Sequence, residues 1–207
     1  MAQMEKESLS EKVYKALKVD LLSGRLNTLE IIIEQDVADK CGVSKTPARE
    51  ALMQLTMEGF LTKYPRKGYV LKRLRETQIA PLLEARYYLL ANYVELIFQR
   101  NSDEQLQKFA QRIYDYEAEH TGSLAEDGLG PNMFFYLELA KLIGNEWVYD
   151  MNERLLMHFF GCSNQALDHY RSTREESLAN RRRIISALLD RNTEELRQAM
   201  KSDIMDK

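Results

Sequence analysis

Only two cysteines, Cys41 and Cys162, occur in the 207 residues, and they lie far apart. They make no ligand pair, and reduced intracellular thiols are the simplest reading. No apolar run approaches the roughly 18 residues a membrane-spanning helix needs. The N-terminus also lacks the apolar core of a secretory signal, so the expected location is the cytoplasm. A Gly-rich phosphate loop, a zinc-ligand pair and a Gly-x-Ser-x-Gly elbow are all missing, which leaves the common catalytic signatures without support. Internal repeats and low-complexity tracts are absent as well.

Charge is unevenly spread. The chain carries −3 overall, which argues against a general nucleic-acid coat. Residues 1–75 hold 14 Lys/Arg against 10 Asp/Glu, a net of +4, and the remainder holds 15 against 22, a net of −7. A basic head on an acidic body confines attraction for DNA to one end.

The most informative stretch is Val37-Ala38-Asp39-Lys40-Cys41-Gly42-Val43-Ser44-Lys45-Thr46-Pro47-Ala48-Arg49-Glu50-Ala51-Leu52. It reads as a short helix, a turn at Cys41-Gly42-Val43 and a second helix, the plan of a helix-turn-helix. Ser44 is placed to cap the second helix, and Pro47 falls early enough to cost no hydrogen bond. Ala48, Ala51, Leu52 and Leu55 share a core-facing side, leaving Lys45, Thr46 and Arg49 outward. An ordinary helical hairpin with a solvated charged face is the alternative. The next dozen residues favour the helix-turn-helix. Gly59 ends the helix, Phe60–Lys63 reads as a strand, Pro65-Arg66-Lys67-Gly68 as a turn and Tyr69–Leu71 as a second strand. A basic hairpin directly after such a helix is a wing whose tip can reach phosphates.

Beyond a charged connector at 72–77 the periodicity is helical only: 77–100, 103–120, 132–143, 146–169, 171–191 and 193–206. Ser102 and Thr193 are the expected N-caps. The expected fold is therefore mainly α: a winged helix-turn-helix over 1–75 and an all-helical bundle over 76–207, large enough to enclose a pocket. The pairs Tyr87-Tyr88 and Phe159-Phe160 and the run Phe134-Phe135-Tyr136 are expected to fill core space. Trp147 is expected to be a packing anchor. The Asp150, Arg154, His158 row reads as a solvated helix face.

Residues 11–75 resemble the winged-helix domain of the GntR family of bacterial transcription regulators. The resemblance rests on Leu22-Ser23-Gly24-Arg25-Leu26, the Val43–Leu52 run, Leu55, Glu58-Gly59-Phe60 and Gly68-Tyr69-Val70. It implies base and backbone contacts by Ser44, Lys45, Thr46 and Arg49, a minor-groove approach by Gly68, and a DNA contact at Gln35. Arg66 and Lys67 are expected on phosphate. Many relatives have Pro-Gly where this chain has Asn27-Thr28, which implies a looser turn. Many also carry Arg at positions 35 and 45. Lys45 keeps the charge but not the two-pronged guanine contact of an arginine, so the operator is expected to differ.

Residues 77–207 resemble the FCD effector domain of the FadR-type branch, through Arg86, Leu139-Ala140, Gly144-Asn145, Ile184, Ala187-Leu188, Ala199-Met200 and Asp203. Typical members hold a divalent metal with one Asp and three His. Here those positions carry Asn132, Tyr136, Arg181 and Asp203, and none of His120, His158 or His169 falls on them. No metal or other cofactor is expected. Two readings of Arg181 stay open. It pairs with Asp203, or it holds an anionic effector with Arg86, Asn132 and Tyr136 nearby and Phe134, Phe135 or Tyr87 as walls. The whole reads as a cytoplasmic, homodimeric DNA-binding regulator, a repressor before an activator, that senses a small anion. An effector-independent DNA-binding protein whose bundle only dimerises is the alternative, and an enzyme is disfavoured.

Overall fold

The computed structural model describes residues 7–26, 31–120, 129–161 and 174–205. The expectations for Asn27-Thr28, Cys162 and His169, and for the helix ends at 162–169, 171–173 and 206, lie outside the described residues. The chain folds as two compact units, one built chiefly of residues up to Arg73 and the other of residues from Leu74 on.

The first unit opens with α1 (Leu9–Leu22), capped by the Ser8 hydroxyl, which accepts from the Glu11 amide at 3.1 Å. Helices α2 (Glu34–Cys41) and α3 (Lys45–Met57) follow. Between them Gly42 adopts φ +65°, the left-handed end that lets the Val43 amide reach the Ala38 carbonyl at 3.0 Å. Ala48, Ala51, Leu52 and Leu55 are fully buried, as are Val13, Leu17 and Leu21 of α1, the helix against which α3 packs. Ser44 stands at the N-cap position, but its exposed hydroxyl makes no capping bond, unlike the expectation.

The wing is an antiparallel pair, β1 (Leu61–Tyr64) and β2 (Gly68–Leu71), with Leu61 opposite Leu71 and Tyr64 opposite Gly68. β1 lies one residue later than expected, and β2 starts one residue earlier, at Gly68, while ending at Leu71 as expected. Ile32 adds a further bridge to Tyr69, its amide donating to the Tyr69 carbonyl at 2.7 Å and its carbonyl receiving the reverse bond at 2.9 Å.

Beyond Leu74 the described residues are helical: α4 (Glu76–Ala91), α5 (Val94–Arg100), α6 (Asp103–Glu119), α7 (Pro131–Ile143), α8 (Glu146–Gly161), α9 (Arg174–Leu189) and α10 (Thr193–Ile204). The expected helix 77–100 is two helices. The Asn92 side-chain amide donates to the Tyr88 carbonyl at 2.7 Å and the Tyr93 amide turns to Leu90, so the regular ladder stops there. Ser102 caps α6 reciprocally with Gln105, as expected. On α10 the cap is Asn192 rather than Thr193, its carboxamide oxygen accepting from the Glu195 amide. Ile79, Leu90, Ile97, Ile113, Phe135, Ile143, Ile184 and Met200 lie in the apolar centre of this unit.

One buried carboxylate ties the first unit together. Asp20 of α1, 6% exposed, accepts from Arg25 Nε at 2.8 Å and from Lys40 Nζ of α2 at 2.5 Å. Burial pushes its carboxyl up, but the two cations outweigh that and hold it below the ordinary carboxylate range. A lowered folded-state pKa means stability that is complete above the ordinary carboxylate range and lost as pH falls through the folded value. Asp20→Asn should therefore cost about 1 kcal/mol near neutral pH, because both partners are largely solvated. The gap from the native chain should close below about pH 4. Urea unfolding across a pH series reads this, and a gap independent of pH contradicts it.

Candidate DNA-reading face and buried core site

On the first unit, Gln35, Ser44, Lys45, Thr46, Arg49, Arg66 and Lys67 are all exposed, and Gly68 is half-buried. Lys45, Thr46 and Arg49 fall within about one turn of α3, opposite its buried stripe. Gln35 bonds Asp39 at 2.6 Å, so its amide is already engaged along α2. At the wing tip Arg66 adopts φ +62°, which turns the chain tightly and leaves Arg66 and Lys67 in solvent. Gly68 has φ +124°, and a Cβ there would lie 2.5 Å from the Ile32 carbonyl oxygen and 2.8 Å from Ile31 Cγ2. The position requires glycine for close backbone approach between the wing and residues 31–32.

Glu34, a residue that no sequence motif singles out, links these parts. It is the first residue of α2, and it accepts from Arg49 Nε at 3.0 Å with one oxygen and from the Tyr69 hydroxyl at 3.1 Å with the other. Burial raises its carboxyl, and the bonds from Arg49 and Tyr69 bring it below its usual value. Its adjacency to Gln35 at a helix start is the one signal the sequence offers.

In the second unit, three of the five expected effector residues, Arg86, Tyr136 and Asp203, are in contact, Arg181 acts on Tyr136 only through its charge, and the pairing differs from the simplest expectation. Arg181 is ion-paired with Glu117 of α6, Nε to Oε1 at 2.5 Å, and not with Asp203. Asp203 accepts from the Tyr136 hydroxyl at 2.6 Å and from Asn180 Nδ2 at 3.1 Å. Burial, and then the Asp203 carboxylate, push the Tyr136 hydroxyl well above the usual phenol range. Arg86 of α4 is 3% exposed and lies over the Tyr136 ring at 4.7 Å and the Phe159 ring at 5.7 Å. Its Nε and Nη2 are buried and find no hydrogen-bond partner. Burial works against its charge, with Tyr136 and Asp203 acting the other way. Asn132 keeps a buried, unpartnered Oδ1, as does Asn152 of α8, whose Nδ2 holds the Tyr136 carbonyl at 3.1 Å. Glu117, Asn152 and Asn180 escape sequence reasoning, because their role depends on which helices pack together.

These residues do not suit a divalent metal. Arg181 brings a cation, Tyr136 and Asp203 are bonded to each other, and the described residues contain no group of three His, Cys, Asp or Glu able to hold one. Phe135, Tyr136 and Phe159 fill the core as expected, while Phe134 stacks half-buried on Tyr116 at 3.6 Å. Two expectations fail. Tyr88 is exposed, and Trp147 is 80% exposed. Val148 and Asn152 take the inward positions of α8, so Trp147 and Met151 project outward, where with Tyr88 they line an open groove of about 920 Å³.

Comparison with known proteins agrees with both halves. The model of bacterial regulatory proteins of the gntR family matches residues 9–71, and that of the FCD domain matches residues 81–205. The HTH-type transcriptional regulator YdhC of Bacillus subtilis is 27% identical over 188 residues, covering 89% of this chain and 83% of that protein. The Nta operon transcriptional regulator of Aminobacter aminovorans is 35% identical over 118 residues, 56% of this chain and 55% of that protein. Among solved structures, E. coli McbR/YncC shares the fold with a TM-score of 0.75 at 22% identity, over 96% of this chain and 94% of the other. The curated relatives are named as regulators, and the enzyme reading falls away. A helix-turn-helix with its wing, joined to a helical bundle and matched along both, makes this chain a member of the GntR family of DNA-binding transcription regulators, in the branch that carries an FCD domain.

Proposed function

We propose that this regulator is a homodimeric repressor whose DNA affinity is set by a small carboxylate held in the helical unit by Arg86. The single observation that carries the effector reading is the buried Arg86 guanidinium with two unpartnered nitrogens. A cation removed from water without a hydrogen-bonded counter-charge is costly, and a bound carboxylate supplies the missing acceptors with the planar fit a guanidinium favours. The unpartnered oxygens of Asn132 and Asn152 are acceptors, suited to a hydroxyl or ammonium group on the same ligand. Arg181 is neutralised by Glu117 and serves as a wall of the site, not its anchor. The anion acts by binding unequally to states of differing DNA affinity.

Homodimer formation is assigned to the outward face of α4 and α8. Tyr88, Trp147 and Met151 are too large an apolar group to leave in water, and the same groove carries Asp150 and Arg154. A two-fold axis through that face sets the acid of one copy against the base of the other, which makes the patch self-complementary. Two recognition helices then read the halves of a short palindrome.

Two experiments test the two halves of this reading. With an operator selected from random duplexes, Arg49→Ala should lose roughly 1–3 kcal/mol of specific binding. Alanine at Arg66 and Lys67 should make the salt dependence shallower; undiminished affinity in the first variant, or an unchanged slope in the second, contradicts these contacts. In thermal melts, Arg86→Met should raise the stability of the ligand-free protein, because it removes an uncompensated buried charge. It should also abolish stabilisation by small carboxylates. A variant that is less stable, or still stabilised by carboxylate, removes Arg86 from the site.

A further inference from the structure

The recognition arginine does not stand alone in solvent. Arg49 Nε donates to Glu34 Oε2 at 3.0 Å, and Glu34 Oε1 is itself gripped by the Tyr69 hydroxyl at 3.1 Å. Tyr69 is a buried anchor. Its backbone is bonded both ways to Ile32, its ring packs under the Lys63 ammonium at 5.3 Å, and its strand pairs along the wing. The carboxylate therefore connects three elements: the start of α2, the exposed face of α3 and strand β2.

We propose that Glu34 is a positioning residue that aims Arg49 at a base edge and thereby sets the operator's most selective position. This rests on the DNA-binding role of the family and on the assignment of Arg49 to base reading. A guanidinium has five donors in one plane. With Nε engaged by Glu34, the two terminal nitrogens remain at its outer end, and these match the O6 and N7 acceptors of guanine. The ion pair also stops the long side chain from swinging to the nearest phosphate, a contact that carries no sequence information. Holding the fork in place before DNA arrives lowers the ordering cost of the specific contact and leaves phosphate binding unaided. The carboxylate adds a second effect, since its negative charge beside the DNA face disfavours unspecific approach to the phosphate backbone.

A structural role alone predicts something different. If Glu34 only braced the head, its loss would weaken all positions of the operator and all duplexes together. As a positioning residue, its loss acts on one base and moves specific and unspecific binding in opposite directions.

The test uses the full-length protein and one pool of random-sequence duplex DNA, selected in parallel by the native chain, Arg49→Ala and Glu34→Ala. Arg49→Ala identifies the position whose guanine preference depends on that arginine. Glu34→Ala should lose about tenfold of the preference at that same position and keep the others. It should also bind unselected duplex more tightly than the native chain. Tyr69→Phe keeps the buried ring and frees Glu34 from its anchor, so it should show the same loss in weaker form. It carries the test if Glu34→Ala does not fold. A guanine preference retained within twofold in both variants overturns the proposal, as does an even loss across all positions. If the native chain itself enriches no sequence, the regulatory reading falls and the proposal with it. If it enriches a sequence whose preferences Arg49→Ala leaves intact, the proposal alone falls.

Discussion

Charge taken out of water must find a partner, and the second unit obeys that constraint at every buried ionic group but one among the described residues. Glu138 is held by Arg112 at 3.1 Å and Lys141 at 2.6 Å, Arg181 by Glu117, and Asp203 by Tyr136 and Asn180. Arg86 has aromatic faces around it and two unsatisfied nitrogens. A fold that pairs its other buried charges yet leaves this one incomplete carries a free-energy cost that the proposed anion would relieve. That incompleteness is the physical basis for reading the bundle as a sensor and not as a dimerisation block alone.

The same bonding lets the proposed site dispense with a metal. In the family pattern a dication supplies positive charge at the centre of the bundle. Here Tyr136 and Asp203, at two of the corresponding positions, bond each other, and Arg181, at a third, is turned to Glu117. In the proposed site the positive charge comes instead from α4, through the buried Arg86. An arginine is charged at all working pH values and offers a planar pair of donors, so no metal-dependent step is needed to make the site attractive to a carboxylate.

The head was legible from sequence because its signals are local. Gly42 between two short amphipathic runs, the Ala48, Ala51, Leu52, Leu55 stripe and the Pro65–Gly68 turn each act within a few residues, and each lies where its spacing placed it. The order of the bundle helices was legible for the same reason. What was not legible depends on long-range packing. Arg181 could be seen as a charge in need of a partner, but Glu117 lies 64 positions away on α6. Trp147 looked like an anchor by type and proved exposed, because its neighbour Val148 faces inward instead. Glu34 carried no special mark in the chain, and its importance comes only from the meeting of α2, α3 and the wing.

On the proposed reading, an anion at Arg86 changes DNA affinity without a metal. The most direct test of that reading is a titration of the selected operator duplex with the full-length protein in excess chelator, repeated across a panel of small carboxylates. One chemical class should shift the apparent affinity by roughly 5- to 150-fold with chelator present, and the shift should vanish in Arg86→Met. An affinity that no carboxylate changes, or a shift that returns only when a divalent metal is restored, would contradict it.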